Sequence, residues 1–164
     1  MNSITSLFNK IEEINLWEKE LTLTRNEYLK VKGSVDTNLY FVVSGTLRIY
    51  VLDEFEEHTI RFGYQNNFIA ALDSFISEKP SDLYIQALKE VKLKVINKKD
   101  YLAFIKSSEE NRMLWEIILQ QLVYQQMERE RDVLTTSPLE RYKRVLKRTF
   151  CYPDSLPHQR VWEI

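Results

Sequence analysis

Gly33-Ser34-Val35-Asp36-Thr37-Asn38-Leu39-Tyr40-Phe41-Val42-Val43-Ser44-Gly45 and the following Thr46-Leu47-Arg48-Ile49-Tyr50-Val51-Leu52 form the stretch that decides the fold. Leu39 to Val43 is an unbroken apolar run rich in aromatic and β-branched residues, and Thr46 to Leu52 alternates across a sheet. A glycine stands between them. Only three glycines occur in the 164 residues, Gly33, Gly45 and Gly63, so each is expected to mark a place where the backbone needs freedom. Working outward, further short strands read at Glu27 to Val31, His58 to Phe62, Tyr84 to Leu88 and Val91 to Ile96. Turn residues or charges separate them. Short strands at this spacing predict an all-β sandwich or barrel.

Both flanks switch to helical spacing. Ile4, Leu7, Phe8, Ile11 and Ile14 predict a helix over residues 3–17. After the last strand, Asn97 is placed to cap a short helix carrying Tyr101, Leu102, Phe104 and Ile105. Ser107 with Glu110 fits a capping box, opening a helix from about Ser108 to Leu134 that meets no glycine or proline. Ser137-Pro138-Leu139-Glu140 then asks for one more helix, with serine at the cap, proline at the first position and glutamate at the third. From Thr149 onward no periodicity is legible.

The long helix is apolar on more than one side. Leu114, Ile118 and Leu122 make one row, and Trp115, Leu119, Val123 and Met127 another on the adjacent stripe. Packing on a single barrel needs one stripe of about 100°. The broader surface implies either a helix sunk inside one larger domain or, as expected here, a homodimer formed by two such helices. Leu114, Trp115, Ile118, Leu119, Leu122 and Val123 are the candidate interface residues.

Composition narrows the partners. Twenty-three Lys and Arg against 24 Asp and Glu give a net charge of −1, so no global field attracts nucleic acid or an anionic membrane. The lone cysteine, Cys151, excludes an intrachain disulfide framework and fits a reducing cytosol, the expected location. The first residues lack the basic and apolar regions of a signal peptide, and no window of about 18 uncharged apolar residues exists to span a membrane.

Enzymatic readings find no residues. His58 and His158 are a hundred positions apart, with His58 among Glu56, Glu57 and Thr59 as an exposed hairpin position. No metal site is expected. Neither a Gly-rich phosphate loop, a G-x-S-x-G elbow nor a Cys-x-x-Cys pair is present. A cupin-like enzyme is the third and weakest reading, because it would need a metal.

The stretch from Gly33 to Gly45 resembles the G-x-x-x-x-x-[LM]-[YF]-[FY]-[IV]-x-x-G pattern of the Crp/Fnr regulators. Asn67-Phe68-Ile69-Ala70-Ala71-Leu72 is similar to the opening of their phosphate-binding cassette, and Tyr84-Ile85-Gln86-Ala87-Leu88 to the strand after it. The resemblance covers roughly residues 5–148. It implies a mainly β fold with flanking helices: a cyclic-nucleotide-binding-like double-stranded β-helix, or jelly roll, in residues 1–106. A long dimerisation helix would follow in 107–136, and the first helix of a DNA-binding domain with an irregular tail in 137–164.

Departures from the pattern bear on the ligand. The family's cassette holds a ribose with a Glu and a cyclic phosphate with an Arg ten residues on; here those positions are Ala71 and Ser81. A phosphate buried in the roll needs a charge-assisted partner, and desolvating it without one costs several kcal/mol. Ala70, Ala71, Leu72, Asp73, Ser81 and Asp82 are the candidate pocket residues, and the carboxylates of Asp73 and Asp82 would repel an anion. No cofactor is expected, cyclic AMP and cyclic GMP included. The effector is an unidentified small molecule.

The family's winged helix-turn-helix needs about 60 to 70 residues, whereas 28 remain from Ser137 (137–164). The expectation is a regulator whose sequence reading of DNA falls to a missing or external domain. Arg141, Arg144, Lys147 and Arg148 are then at most contacts to backbone phosphates. The alternative is a small-molecule or protein-binding β-roll with no link to transcription.

Overall fold

The glycine-bounded stretch becomes two strands that belong to different sheets, β3 (Asn38–Ser44) and β4 (Thr46–Asp53), with only Gly45 between them. Residues 3–54 and 56–149 are described by a computed structural model, residues 145–149 through their backbone alone. In chain order the other elements are α1 (Ser3–Glu13), β1 (Lys19–Leu23), β2 (Tyr28–Lys30), β5 (Glu56–Tyr64), β6 (Phe68–Ile69), α2 (Leu72–Ser77), β7 (Tyr84–Ala87), β8 (Val91–Asn97), α3 (Lys98–Lys106), α4 (Glu109–Leu134) and α5 (Pro138–Thr149). Gly45 adopts φ +95°, and a Cβ there would run into the Glu90 carbonyl and Val91.

Two four-stranded antiparallel sheets, in the orders β1-β8-β3-β6 and β2-β7-β4-β5, face each other as a jelly roll. Tyr40, Val42, Leu47, Ile49, Ile85 and Leu93 close the space between them. On β3 the alternate residues Leu39 and Phe41 point the other way, onto the helices: Leu39 joins Leu7, Ile11, Ile96, Tyr101 and Ile118, and Phe41 stacks on Phe8 at 4.2 Å. Burial on both faces is why Leu39 to Val42 is apolar without alternation, whereas Val43 is exposed.

The expected strands and helices are present, with differences at their ends. β1 and β6 were not among the strands legible in the sequence; β1 pairs with β8 in the register Leu21↔Leu93. The first helix stops at Glu13, not at residue 17: Asn15 takes φ +49° and Ile14 is left exposed. The expected capping box also shifts by one residue. Ser107 closes α3 by donating Oγ–H to the Phe104 carbonyl, and Ser108 caps α4 by accepting from the Asn111 amide at 3.1 Å. Asn97 caps α3 as expected, its Oδ1 accepting from the Asp100 amide. Residues 150–164, with Cys151 and His158, lie outside the described residues.

Candidate ligand pocket and helix interface

The expected pocket is built by β6, the short α2 and the turn into β7. Ala71 is fully buried and Ala70 nearly so, because the chain passes there from the sheet into the packed helix layer. Ser81 is buried too, but its groups are engaged locally. Its Oγ accepts from the Leu83 amide, its carbonyl from the Gly33 amide, and its own amide donates to Ser34. Leu72 is half-buried. The acidic members stand elsewhere than expected: Asp73 is exposed and accepts from the Ser74 amide, and Asp82 reaches solvent beside Lys32 at 3.4 Å. Both carboxylates belong to exposed residues, so neither is buried in the roll.

Two cations that sequence reasoning missed lie nearer. Lys30 is 3% exposed, and its Nζ donates to the Ser34 carbonyl and hydroxyl at 2.6 and 2.9 Å, one residue pairing away from Ser81. Arg61 on β5 lies opposite Ile49, on the inner face of the roll, and its Nη2 donates to the Ala70 carbonyl at 3.0 Å. Burial, and then the positive charge of Arg129 on α4, push the Arg61 guanidinium down to about 10. The cassette therefore presents the methyl groups of Ala70 and Ala71, and Arg61 of β5 reaches it through the Ala70 carbonyl.

Residues 20–108 match the family model of the cyclic nucleotide-binding domain. The chain belongs to that family. No curated protein sequence matches it. Among solved structures, the c-di-GMP responsive global regulator CLP of Xanthomonas campestris superposes with a TM-score of 0.71 at 15% identity, over 92% of this chain and 76% of that one. The sensor domain of the transcriptional regulator DNR from Pseudomonas aeruginosa gives 0.62 at 20% identity, over 82% and 90%. The catabolite activator protein of Thermus thermophilus gives 0.62 at 20%, over 78% and 62%. At these identities the likeness is one of fold. This member of the cyclic nucleotide-binding domain family carries Ala71 and Ser81 where the resemblance implies a carboxylate and a guanidinium.

The structure splits the six interface candidates on α4. Ile118 is 3% exposed, and Leu114, Trp115 and Leu122 pack with it against α1 and α3; Trp115 meets the Tyr101 ring edge-on at 5.3 Å. These four serve the chain's own core. Leu119 and Val123 stay exposed, and with Tyr124 and Met127 they line an open apolar groove along the helix. The phosphate-contact candidates divide as well. Arg144 is drawn to Asp132 at 2.6 Å and Glu128 at 3.3 Å, fastening α5 to α4 rather than facing outward. Arg141 is half-buried, and the side chains of Lys147 and Arg148 lie outside the described residues. Among the described residues no helix is long and apolar enough to cross a membrane.

Proposed function

We propose that the chain is the effector-sensing and dimerising module of a Crp/Fnr-like transcriptional regulator. The observation that carries this reading is the row Leu119, Val123, Tyr124 and Met127, left in solvent on a 26-residue helix whose opposite side is already packed on its own β-roll. A monomer would keep those side chains wet along several turns; a second copy would bury them. The roll supplies the sensing half. Its cassette offers alanine methyls and a locally bonded serine, which supports an effector other than cyclic AMP or cyclic GMP. Regulatory output runs through α5, which the Arg144 ion pairs bind to the end of the dimerisation helix. Sequence-specific reading of DNA is assigned to a domain beyond the helices described here.

Sedimentation velocity at tens of micromolar tests this. The wild type is expected to sediment as a dimer. The double variant Leu119→Glu/Val123→Glu is expected to be a monomer with unchanged far-ultraviolet dichroism. A monomeric wild type would return the chain to the alternative of a binding β-roll outside transcription. Calorimetric titration with cyclic AMP is expected to give no heat of binding; a micromolar dissociation constant would overturn the reading of Ala71 and Ser81.

A further inference from the structure

Four residues of α4 stand at seven-residue intervals: Met113, Gln120, Met127 and Leu134. All four are exposed, and helical geometry places them on the side away from the buried Ile118. A repeat of seven keeps one seam turned toward a second helix in a left-handed supercoil. Two open grooves flank this line, one lined by Val123 and Met127, the other by Ile117 and Gln125, and Gln120 and Tyr124 border both. Hollows of this kind, on either side of a raised row, are what the side chains of a facing helix enter. Three members of the line are apolar; Gln120 is not. Within its own helix its side-chain nitrogen reaches the Glu116 carboxylate at 3.5 Å, the long limit of a hydrogen bond. An amide carries two donors and an acceptor, and a second helix laid on this seam would take them out of water.

We infer that Gln120 sets the register of the helix pair: its side-chain amide hydrogen-bonds the same amide of a second copy and holds the two α4 helices parallel and in step. The inference rests on the reading of the chain as a dimer and adds what selects one pairing among several. In the parallel, unshifted pair each member of the line meets itself, so methionine lies on methionine, leucine on leucine, and an Nε2–H of one Gln120 donates to the Oε1 of the other. A slip of one heptad sets Gln120 against Met113 or Met127. An antiparallel pair matched over the same span sets Gln120 against Met127 at both crossings. Each of these strands two buried amides without a partner. An antiparallel pair centred on Gln120 joins the amides but carries Leu134 to residue 106, beyond the start of α4 at Glu109, and leaves that end of the seam in water. A single polar residue in an apolar seam thus gives up stability and gains specificity.

The test is disulfide cross-linking of the full chain along the seam. Cys151→Ser removes the lone thiol, and Met113→Cys, Met127→Cys and Leu134→Cys are then made singly, oxidised with copper phenanthroline alone and in pairwise mixtures, and the products told apart by mass. Disulfides form only between Cα atoms within about 7 Å, so the products report which positions meet. Each variant is expected to link to its own kind, with self-linked product exceeding mixed product at least about tenfold, because the other pairings bury unpartnered amides. In Gln120→Leu, which removes the amide and keeps an apolar seam, that ratio is expected to fall to near one; Gln120→Asn is expected to restore it. Should Gln120→Leu aggregate, Gln120→Ala gives the same readout. Mixed and self-linked products in comparable amounts with Gln120 in place overturn the inference, as does a Gln120→Leu chain that still links only to its own kind. Sedimentation of the same samples separates the two readings: a dimer with mixed linkages overturns the role of Gln120 and leaves the dimer standing, whereas a monomer overturns the dimer itself and the inference with it.

Discussion

At Gly45 the chain leaves one sheet for the other within a single residue, at a φ of +95° with the Glu90 carbonyl where a side chain would begin. Gly45→Ala therefore meets both a left-handed backbone penalty and a backbone collision that no rotamer relieves. The expected loss is about 3 kcal/mol, read as a fall in the urea midpoint at constant m. Tyr101 gives the opposite expectation. Its ring is fully buried against Phe75 and Trp115, and its hydroxyl has no hydrogen-bond partner among the described residues, burial raising its pKa above the ordinary phenol value. Removing an unsatisfied buried hydroxyl removes its desolvation cost while the ring keeps its packing. Tyr101→Phe is expected to be neutral or to stabilise by about 1 kcal/mol, and a loss above that in the same titration would show a partner for the hydroxyl.

Element boundaries show what the sequence holds and what it hides. The strands on either side of Gly45, the Asn97 cap and the start of α5 at Pro138 were legible because local chemistry decides them: propensity, an Asx side chain, a fixed proline φ. The start of α4 was not, since two adjacent serines offer equivalent caps and only the packing of α3 assigns Ser107 to one helix and Ser108 to the next. Ser108→Ala is therefore expected to cost about 1 kcal/mol. Glu110→Gln, which a capping box would make costly, is expected to stay within about 0.5 kcal/mol, because Glu110 makes an exposed pair with Lys10. Equal losses in a thermal unfolding series would restore the capping box. Arg61 was hidden for a different reason. Counted along β5 it shares the parity of Thr59, whose hydroxyl accepts from Arg48 on the outer face of the sheet. A bulge lies between the pairs Ile49↔Arg61 and Tyr50↔Thr59, and the extra residue, Ile60, turns Arg61 inward. A bulge that reverses parity leaves no mark in composition or alternation, so the inward turn of Arg61 is visible only in the fold.

For the whole molecule, the two apolar rows of α4 make separable claims on stability. Ile118 belongs to the core shared with α1 and α3, so Ile118→Glu buries an unpaired charge and is expected to unfold the chain. Leu119 and Val123 stay exposed among the described residues. If two copies bury them, folding and association are linked, and the unfolding temperature depends on concentration. Each tenfold dilution then removes about 1.4 kcal/mol per mole of dimer. With an unfolding entropy of about 2 cal/mol/K per residue in each of two 164-residue chains, that corresponds to about 2 °C. A hundredfold dilution series by calorimetry is expected to lower the midpoint by about 4 °C in the wild type. In Leu119→Glu/Val123→Glu the dependence is expected to vanish, with the midpoint at or below the wild type's most dilute value. A wild-type midpoint that ignores concentration would mean that the exposed row has no second copy to meet, and that α4 ends its packing with its own roll.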